Sequence, residues 1–307
     1  MSNTTKNTST TQSRAQELFQ NILDLFIKDM KNGNNPFSFG HLQPISANTS
    51  NPYTGLNKLV LSYYASINQY DSNKWLTMKQ VGALDGKVTK GEKATPIFFF
   101  QDSYAVKAIK NGKEETIWSR KKTMDEAKAE VLKKKGVTNV MSASKRMVLK
   151  HFYVFNYNQT SLVDENAIPA LEQPSAIRQA VSNHVTLEEG KSPLYKEEND
   201  TIYGAFTENL NFEAFFKATI EATKHQTRKD RQLEYPEEEL VKLIGSSYLL
   251  GTTGLPESKI APDLAQIFID KLQASPNSLW KYAREADQAY GMISTWIEEM
   301  KATKVVA

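Results

Sequence analysis

Two groups of side chains in this chain of 307 residues have types and spacings that suit chemistry. The first is basic and aromatic. Lys74, Trp75, Lys79, Gln80, Lys87, Lys90 and Lys93 surround a Lys90-Gly91-Glu92-Lys93 turn that leads into Phe98, Phe99 and Phe100. A single-stranded nucleic acid needs ammonium groups along its phosphates and flat aromatic faces under its unpaired bases, and a glycine in the turn frees backbone N–H groups. The same residues also suit an ordinary α/β domain in which Trp75 and the Phe run are core and the lysines form a solvated rim. The second group is Glu221, His225 and Glu239. Residues four apart share a helix face, so this set offers oxygen and nitrogen donors to a metal ion such as zinc. The plainer alternative is a Glu–His pair on a helix surface.

Charge separates the regions that hold these groups. The net charge is only +3. Residues 74–150, however, carry 18 Lys and Arg against 8 Asp and Glu, a local +10 that leaves −7 for the remainder. Such asymmetry favours a polyanion-binding N-terminal region joined to something with a different task. The length suits two domains, and 40% hydrophobic with 24% charged residues is the composition of a globular chain. With no cysteine, disulfides, zinc ribbons and thiol nucleophiles are excluded. The N-terminus lacks an apolar signal segment and no run reaches bilayer length, so the expectation is a cytoplasmic protein without a membrane partner. His41, His151 and His184 stand without ligand spacing and read as structural, and there is no serine triad or P-loop pattern.

The elements that must position these side chains follow from periodicity. Residues 1–11, rich in Ser, Thr and Asn, are expected to be a flexible tail. Leu18, Phe19, Ile22, Leu23, Phe26, Ile27 and Met30 recur at helical spacing, and a second helix is expected over 56–69 after a loop at 32–55. Thr77 suits the N-cap of a short helix that Gly86 stops. Residues 95–100 and 145–158 read as strands, the second so continuously apolar that it should be central. Between them, Asn111-Gly112 marks a hairpin and Thr123 caps a helix. The second half reads as helices near 175–183, 211–225, 236–250, 262–274 and 278–300, with a hairpin or strand pair in residues 192–206.

The stretch from Asn51 to Phe100 resembles the N-terminal domain of the ArdC-like antirestriction family. It keeps Asn51, Pro52, Thr54, Gly55, Asn57, Trp75, Leu76, Thr77, Gln80, Gly86, Val88, Lys90, Gly91, Glu92, Lys93 and Pro96 of that pattern, and "YVFNYNQT", residues 153–160, is similar to the family's strand end. Lys74 stands where the family commonly has Arg, which keeps the charge and loses the planar fork. A larger basic insertion occupies 104–147. The resemblance implies a domain that binds single-stranded DNA, in a family found on plasmids, phages and other mobile elements.

The family continues into a zincin-like metallopeptidase domain, and residues 221–225 lie where it carries His-Glu-x-x-His. In that motif two imidazoles hold zinc and the Glu activates the attacking water. Here Glu221 replaces the first His, Ala222 replaces the Glu, and His225 alone remains. A methyl group cannot accept a proton. Glu238 and Glu239 persist near the third ligand position, followed by Lys242 and Leu243. The resemblance therefore implies a pseudoenzyme with no catalytic residue, no required cofactor, and zinc only through Glu221, His225 and Glu239.

The expected fold class is α+β: a mixed α/β N-terminal domain over 12–157, a linker at 158–173, and a mostly helical zincin-like domain over 174–307. The expected function is single-stranded DNA binding for a mobile element or phage, in the host cytoplasm. Two alternatives stay open. One is a structural or cargo protein of a virion, with virion or conjugation proteins as partners. The other is an active metal-dependent peptidase with atypical ligands.

Overall fold

The computed structural model describes residues 13–38, 43–163, 171–206 and 210–306. The tail at 1–11, His41 and residues 164–170 of the linker lie outside the described residues. By packing, the chain falls into two compact units, one centred on residues 98–152 and the other on 19–97 with 153–307. That grouping differs in kind from a division along the sequence.

Local signals place the first elements. Helix α1 (Arg14–Lys31) buries Phe19, Ile22, Leu23, Phe26, Ile27 and Met30, the apolar face its spacing predicts. The two-residue strand β1 (Ile45–Ser46) falls in a stretch expected to be loop. Helix α2 (Gly55–Ile67) precedes β2 (Lys74–Leu76), which pairs parallel with β1. Helix α3 (Met78–Ala83) opens on a capping box: Gln80 N–H donates to Thr77 Oγ1 at 3.3 Å, and Gln80 Oε1 accepts Thr77 N–H at 2.8 Å.

Strands β3 (Thr95–Lys110) and β4 (Lys113–Ser119) form the hairpin expected at Asn111-Gly112. Both turn residues are left-handed, at φ 49° and 75°, as a two-residue hairpin loop requires. Thr123 caps α4 (Met124–Leu132) by accepting Glu126 N–H at 3.2 Å. Strand β5 (Val137–Asn156) occupies the centre of the order β1-β2-β5-β3-β4, as its apolar run predicts. Its faces are less covered than that run suggests. Met141, Met147, Phe152 and Tyr153 are exposed, and burial sets in only at Val154, Phe155 and Asn156. A strand of 20 residues outruns the nine-residue helix α4 beside it.

The rest is mainly helical. After α5 (Pro174–Ser182), strands β6 (Thr186–Glu189), β7 (Leu194–Lys196) and β8 (Thr201–Gly204) form a sheet in the order β6-β8-β7. The antiparallel pair β7–β8 is the expected hairpin, whereas β6, parallel to β8, is not foreseen by the sequence reading. Helices α6 (Phe212–Ala222), α7 (Glu237–Thr253), α8 (Pro262–Ala274) and α9 (Ser278–Val306) follow. Together the described elements make a mixed α+β fold.

Buried Phe215, Phe216, Ile220, Leu240, Ile244, Leu249 and Ile293 build the helical core of the larger unit. Gly245 sets the approach of α7 to α6, because a Cβ there would lie 2.8 Å from Ile220 Cδ1. Lys58 of α2 joins the same core. It is 2% exposed, and its Nζ lies 3.0 Å from Asp287 Oδ1 and 3.8 and 4.1 Å from the ring centres of Tyr290 and Tyr248. Burial pulls the Lys58 ammonium below its usual pKa range, while Asp287 pulls it back. A cation this deep is held by a carboxylate and two aromatic faces together.

Candidate functional site

The basic turn is held from below by the end of β5 and the 3-10 turn Tyr157–Gln159. Val88 pairs with Thr160, Thr89 N–H donates to the Gln159 carbonyl at 2.9 Å, and Ser161 N–H donates to the Lys87 carbonyl at 2.8 Å. Gln159 is buried and holds the turn with its side chain. Its Nε2 donates to Glu92 Oε2 at 2.8 Å and to the Lys93 carbonyl at 2.9 Å, and its Oε1 accepts Asn156 N–H at 2.9 Å. Asn156, also buried, donates to the Ser72 carbonyl at 2.8 Å, and Asn158 Oδ1 accepts Ser72 N–H at 3.0 Å. One short segment thus clasps both the 71–77 stretch that contains β2 and the 87–93 turn. Gly91 sits at φ 97°, where a side chain would be strained.

On this frame Lys79, Lys87, Lys90 and Lys93 are exposed, and among the described residues none of them makes an ion pair. They are free charges on a fixed backbone. Lys74 is half-buried, with Nζ 5.4 Å from the Tyr157 ring centre.

Two residues expected in the interface are elsewhere. Trp75 is 0% exposed, packed with Leu61 and Val154 and edge-on to Tyr70 at 6.0 Å, so it offers no face to a base. Leu76 beside it is 1% exposed, so both faces of this three-residue strand are covered. Gln80 spends its side-chain oxygen in the Thr77 capping box. Phe98 is buried as well, while Phe100 is 47% exposed. Asn156, Gln159 and Glu92 are the residues that residue-type reasoning missed. The signal was a polar run, Asn156 to Thr160, directly after an apolar strand, where buried amides are needed to satisfy backbone groups.

The second candidate site is closed upon itself. Helix α6 stops at Ala222, so His225 lies beyond the helix and does not share a face with Glu221, contrary to expectation. Guanidiniums end the helix by taking its last carbonyls. Arg228 Nε and Nη2 donate to the Ala222 carbonyl at 2.9 and 2.7 Å, and Arg231 Nη2 donates to the Ile220 carbonyl at 3.2 Å. His225 Nδ1 instead lies 2.8 Å from Thr227 Oγ1 and 4.0 Å from Asp200 Oδ2.

Glu221 and Glu239 meet an ammonium rather than a third ligand. Lys242 Nζ lies 3.1 Å from Glu221 Oε2 and 2.5 Å from Glu239 Oε1, and Lys224 Nζ lies 3.1 Å from Glu221 Oε1. Burial works against the charged form of Lys242, but Glu239 and Glu221 outweigh it and hold its pKa above the usual range. Among the described residues no three His, Asp or Glu side chains gather as a metal-binding set. A donor pair bridged by a protonated lysine does not fit a divalent cation. Around it the charges are consumed likewise: Arg231 pairs twice with Glu238 in the interior, at 3.0 and 2.5 Å, and Arg228 pairs with Asp200. The Asp200 carboxyl is pushed up by burial but held below the usual range by hydrogen bonds from Arg228 and Tyr195. His184 stacks on Trp296 at 4.7 Å and serves packing.

The clasped turn and its frame define a class. Residues 16–155 match the profile of the N-terminal domain of anti-restriction factor ArdC. The chain is similar to that domain by sequence over those residues and, by fold, to ArdC over nearly its whole length. The metal-free crystal structure of antirestriction protein ArdC from plasmid R388 matches 92% of this chain and 98% of its own at 20% identity, with a TM-score of 0.67. The Mn(II)-bound structure of that protein matches 91% and 98% at 21% identity, with a TM-score of 0.66. No curated protein sequence matches the chain. Among the described residues no helix is long and apolar enough to cross a membrane.

Proposed function

We propose that this chain binds single-stranded DNA through its ArdC-type domain, and that it serves antirestriction in the host cytoplasm for a plasmid, phage or other mobile element. The observation that carries the binding reading is the set Lys79, Lys87, Lys90 and Lys93, exposed and without ion pairs among the described residues, on a backbone fixed by Gln159 and Asn156. Free ammonium groups on a fixed turn are what a phosphate backbone recruits. The antirestriction role rests on the family match.

The C-terminal region is read as a pseudoenzyme. Ala222 has no proton acceptor where a general base would stand, and Lys242 fills the space between Glu221 and Glu239. Sustained peptide hydrolysis by the purified chain that disappears in His225→Ala would overturn this reading.

The binding test is fluorescence anisotropy of labelled single- and double-stranded oligonucleotides with the full chain over a salt series. Salt-sensitive binding that prefers the single strand is expected. The Lys90→Ala, Lys93→Ala double variant should bind several-fold more weakly, with its salt slope reduced by about 1.4, since each phosphate contact on a single strand contributes about 0.7. Absence of binding to either oligonucleotide would end the reading.

A further inference from the structure

The clasped turn supplies charge, but Trp75 beside it is buried and offers no face for stacking. The smaller unit has one. Its strands β3 and β5 run antiparallel: Phe99 stacks on Phe152, Lys145 pairs with Asp102 at 2.7 Å, and Thr138 Oγ1 donates to the Ile109 carbonyl at 3.4 Å. Helix α4 covers one face of this sheet. Its Ala127 and Val131 pack against Tyr104, Val106 and Ala108 of β3, and Ile117, Val137, Val140 and Ala143 join them. Side chains alternate along strands, so Trp118, which faces Ala105, and Phe99, at even spacing from Ala105, belong to the opposite face, as does Phe152 stacked on Phe99. Arg146 and Lys150 flank this patch on β5, six and two residues before Phe152.

That opposite face carries unusual side chains for solvent. Phe152 is 56% exposed and lies flat on Phe99, with ring centres 4.8 Å apart and planes 13° apart. Trp118, opposite Ala105 in the hairpin register, is 52% exposed. A solvated sheet face ordinarily bears polar residues, and single exposed aromatics need no explanation, but a stacked pair and an indole on one face do. The charge is of matching kind. Arg146 is exposed and Lys150 half-buried, neither makes an ion pair among the described residues, and the acidic Glu114 on this face is already paired with Lys107 at 3.4 Å.

We infer that the open face of the β3-β4-β5 sheet is a base-stacking platform for single-stranded nucleic acid, with Phe152 and Trp118 taking bases and Arg146 and Lys150 taking phosphates. Flat aromatic faces interleaved with cations are the pattern that unpaired bases and their backbone require, and the segment's local excess of positive charge suits no other common occupant as well. An acidic protein docking on the same face is the rival occupant. The inference deepens the single-stranded DNA reading above and depends on it.

The test uses the full chain, an oligothymidylate probe and two readouts. Anisotropy reports binding, and the part of the tryptophan quenching that Trp118→Phe removes reports stacking on Trp118, since Trp75 and Trp296 are buried and the partly buried Trp280 is unchanged in that variant. Expected results are emission quenching that parallels binding and is lost in Trp118→Phe, and affinity about ten-fold weaker in Phe152→Ala with the salt slope unchanged, since one base–aromatic stack is worth about 1–3 kcal/mol. Phe152→Tyr keeps a flat face and should restore affinity. Circular dichroism on each variant confirms the fold, which an exposed side chain does not support. Binding by anisotropy with no quenching and no effect of Phe152→Ala would overturn the platform and leave the lysine turn standing. Loss of affinity equally in Phe152→Ala and Phe152→Tyr would also overturn it. No binding at all would remove the underlying reading.

Discussion

The two candidate sites of this chain use the same kinds of charge in opposite ways. Around the 87–93 turn the backbone is bound tightly by Asn156 and Gln159, while Lys79, Lys87, Lys90 and Lys93 stay exposed and unpaired among the described residues. Around the end of α6 each cation is used internally: Lys242 between Glu221 and Glu239, Arg231 on Glu238, Arg228 on Asp200. A cation whose partner is built in is part of the structure. One left without a partner on a rigid support is available to a ligand, because nothing must be displaced when the ligand arrives. The contrast supports the proposal that the first region binds and the second is framework.

The largest effect expected from this contrast is at Glu238. Arg231 and Glu238 are 3% and 8% exposed, and Glu238→Ala would leave a buried guanidinium without its carboxylate. Breaking a buried pair from one side costs about 3–5 kcal/mol. Urea unfolding should show a loss of that order in Glu238→Ala, with single-stranded DNA binding retained where the variant is folded. A loss below about 1 kcal/mol would mean that the α6 end is not the framework described above.

Next in size is a titration. Among the described residues Glu257 is a carboxyl with no ion pair; Asn35 donates to its Oε1 at 2.6 Å, and Ser247 and Ser38 also bond to it. Burial pushes its pKa up to about 7, Glu213 adds to the shift, and Lys217 opposes it. A folded pKa above the unfolded one makes the neutral form the stabilised one. The contribution is then full below about pH 4.5 and is lost as pH rises through about 7. A shift of this size corresponds to about 3 kcal/mol between those limits. Unfolding free energy measured from pH 4.5 to 8 should fall by that order from this group, and Glu257→Gln, neutral throughout, should flatten the profile. An unchanged profile in Glu257→Gln would assign the dependence to other groups and weaken the rule that unpaired charge is not kept in this region.

How much of this was legible in the sequence depended on the range of the interactions. The Thr77 cap, the Asn111-Gly112 hairpin and the Thr123 cap are set by neighbours within three residues, and they stand where the sequence predicts. Trp75 carried a correct family signal and the wrong role, because a sequence does not tell that the rest of the molecule will cover both faces of a short strand. The end of α6 was misplaced for a similar reason: Arg228 and Arg231 act on the Ala222 and Ile220 carbonyls from 6 and 11 residues away. Lys242 reaches Glu221 across 21 residues, a contact that no local pattern announces. The exposed Phe99–Phe152 stack likewise needed the register of two strands before it could be seen.

The smallest expected effect on stability is also the sharpest test of the contrast. Lys90 and Lys93 are exposed, make no ion pair among the described residues, and flank Gly91 in a turn whose hydrogen bonds come from Gln159 and from the backbone. Replacing both with Ala removes no contact that holds the fold. Surface substitutions of this kind stay within about 0.5 kcal/mol. The double variant should therefore unfold at the same urea midpoint as the parent while its salt slope on single-stranded DNA becomes shallower. Both observations are needed: a destabilised variant would show that the lysines support the turn, and a stable variant with an unchanged slope would place the phosphate contacts outside it. Only the pairing of unchanged stability with altered binding separates a cation kept for a ligand from one kept for the fold.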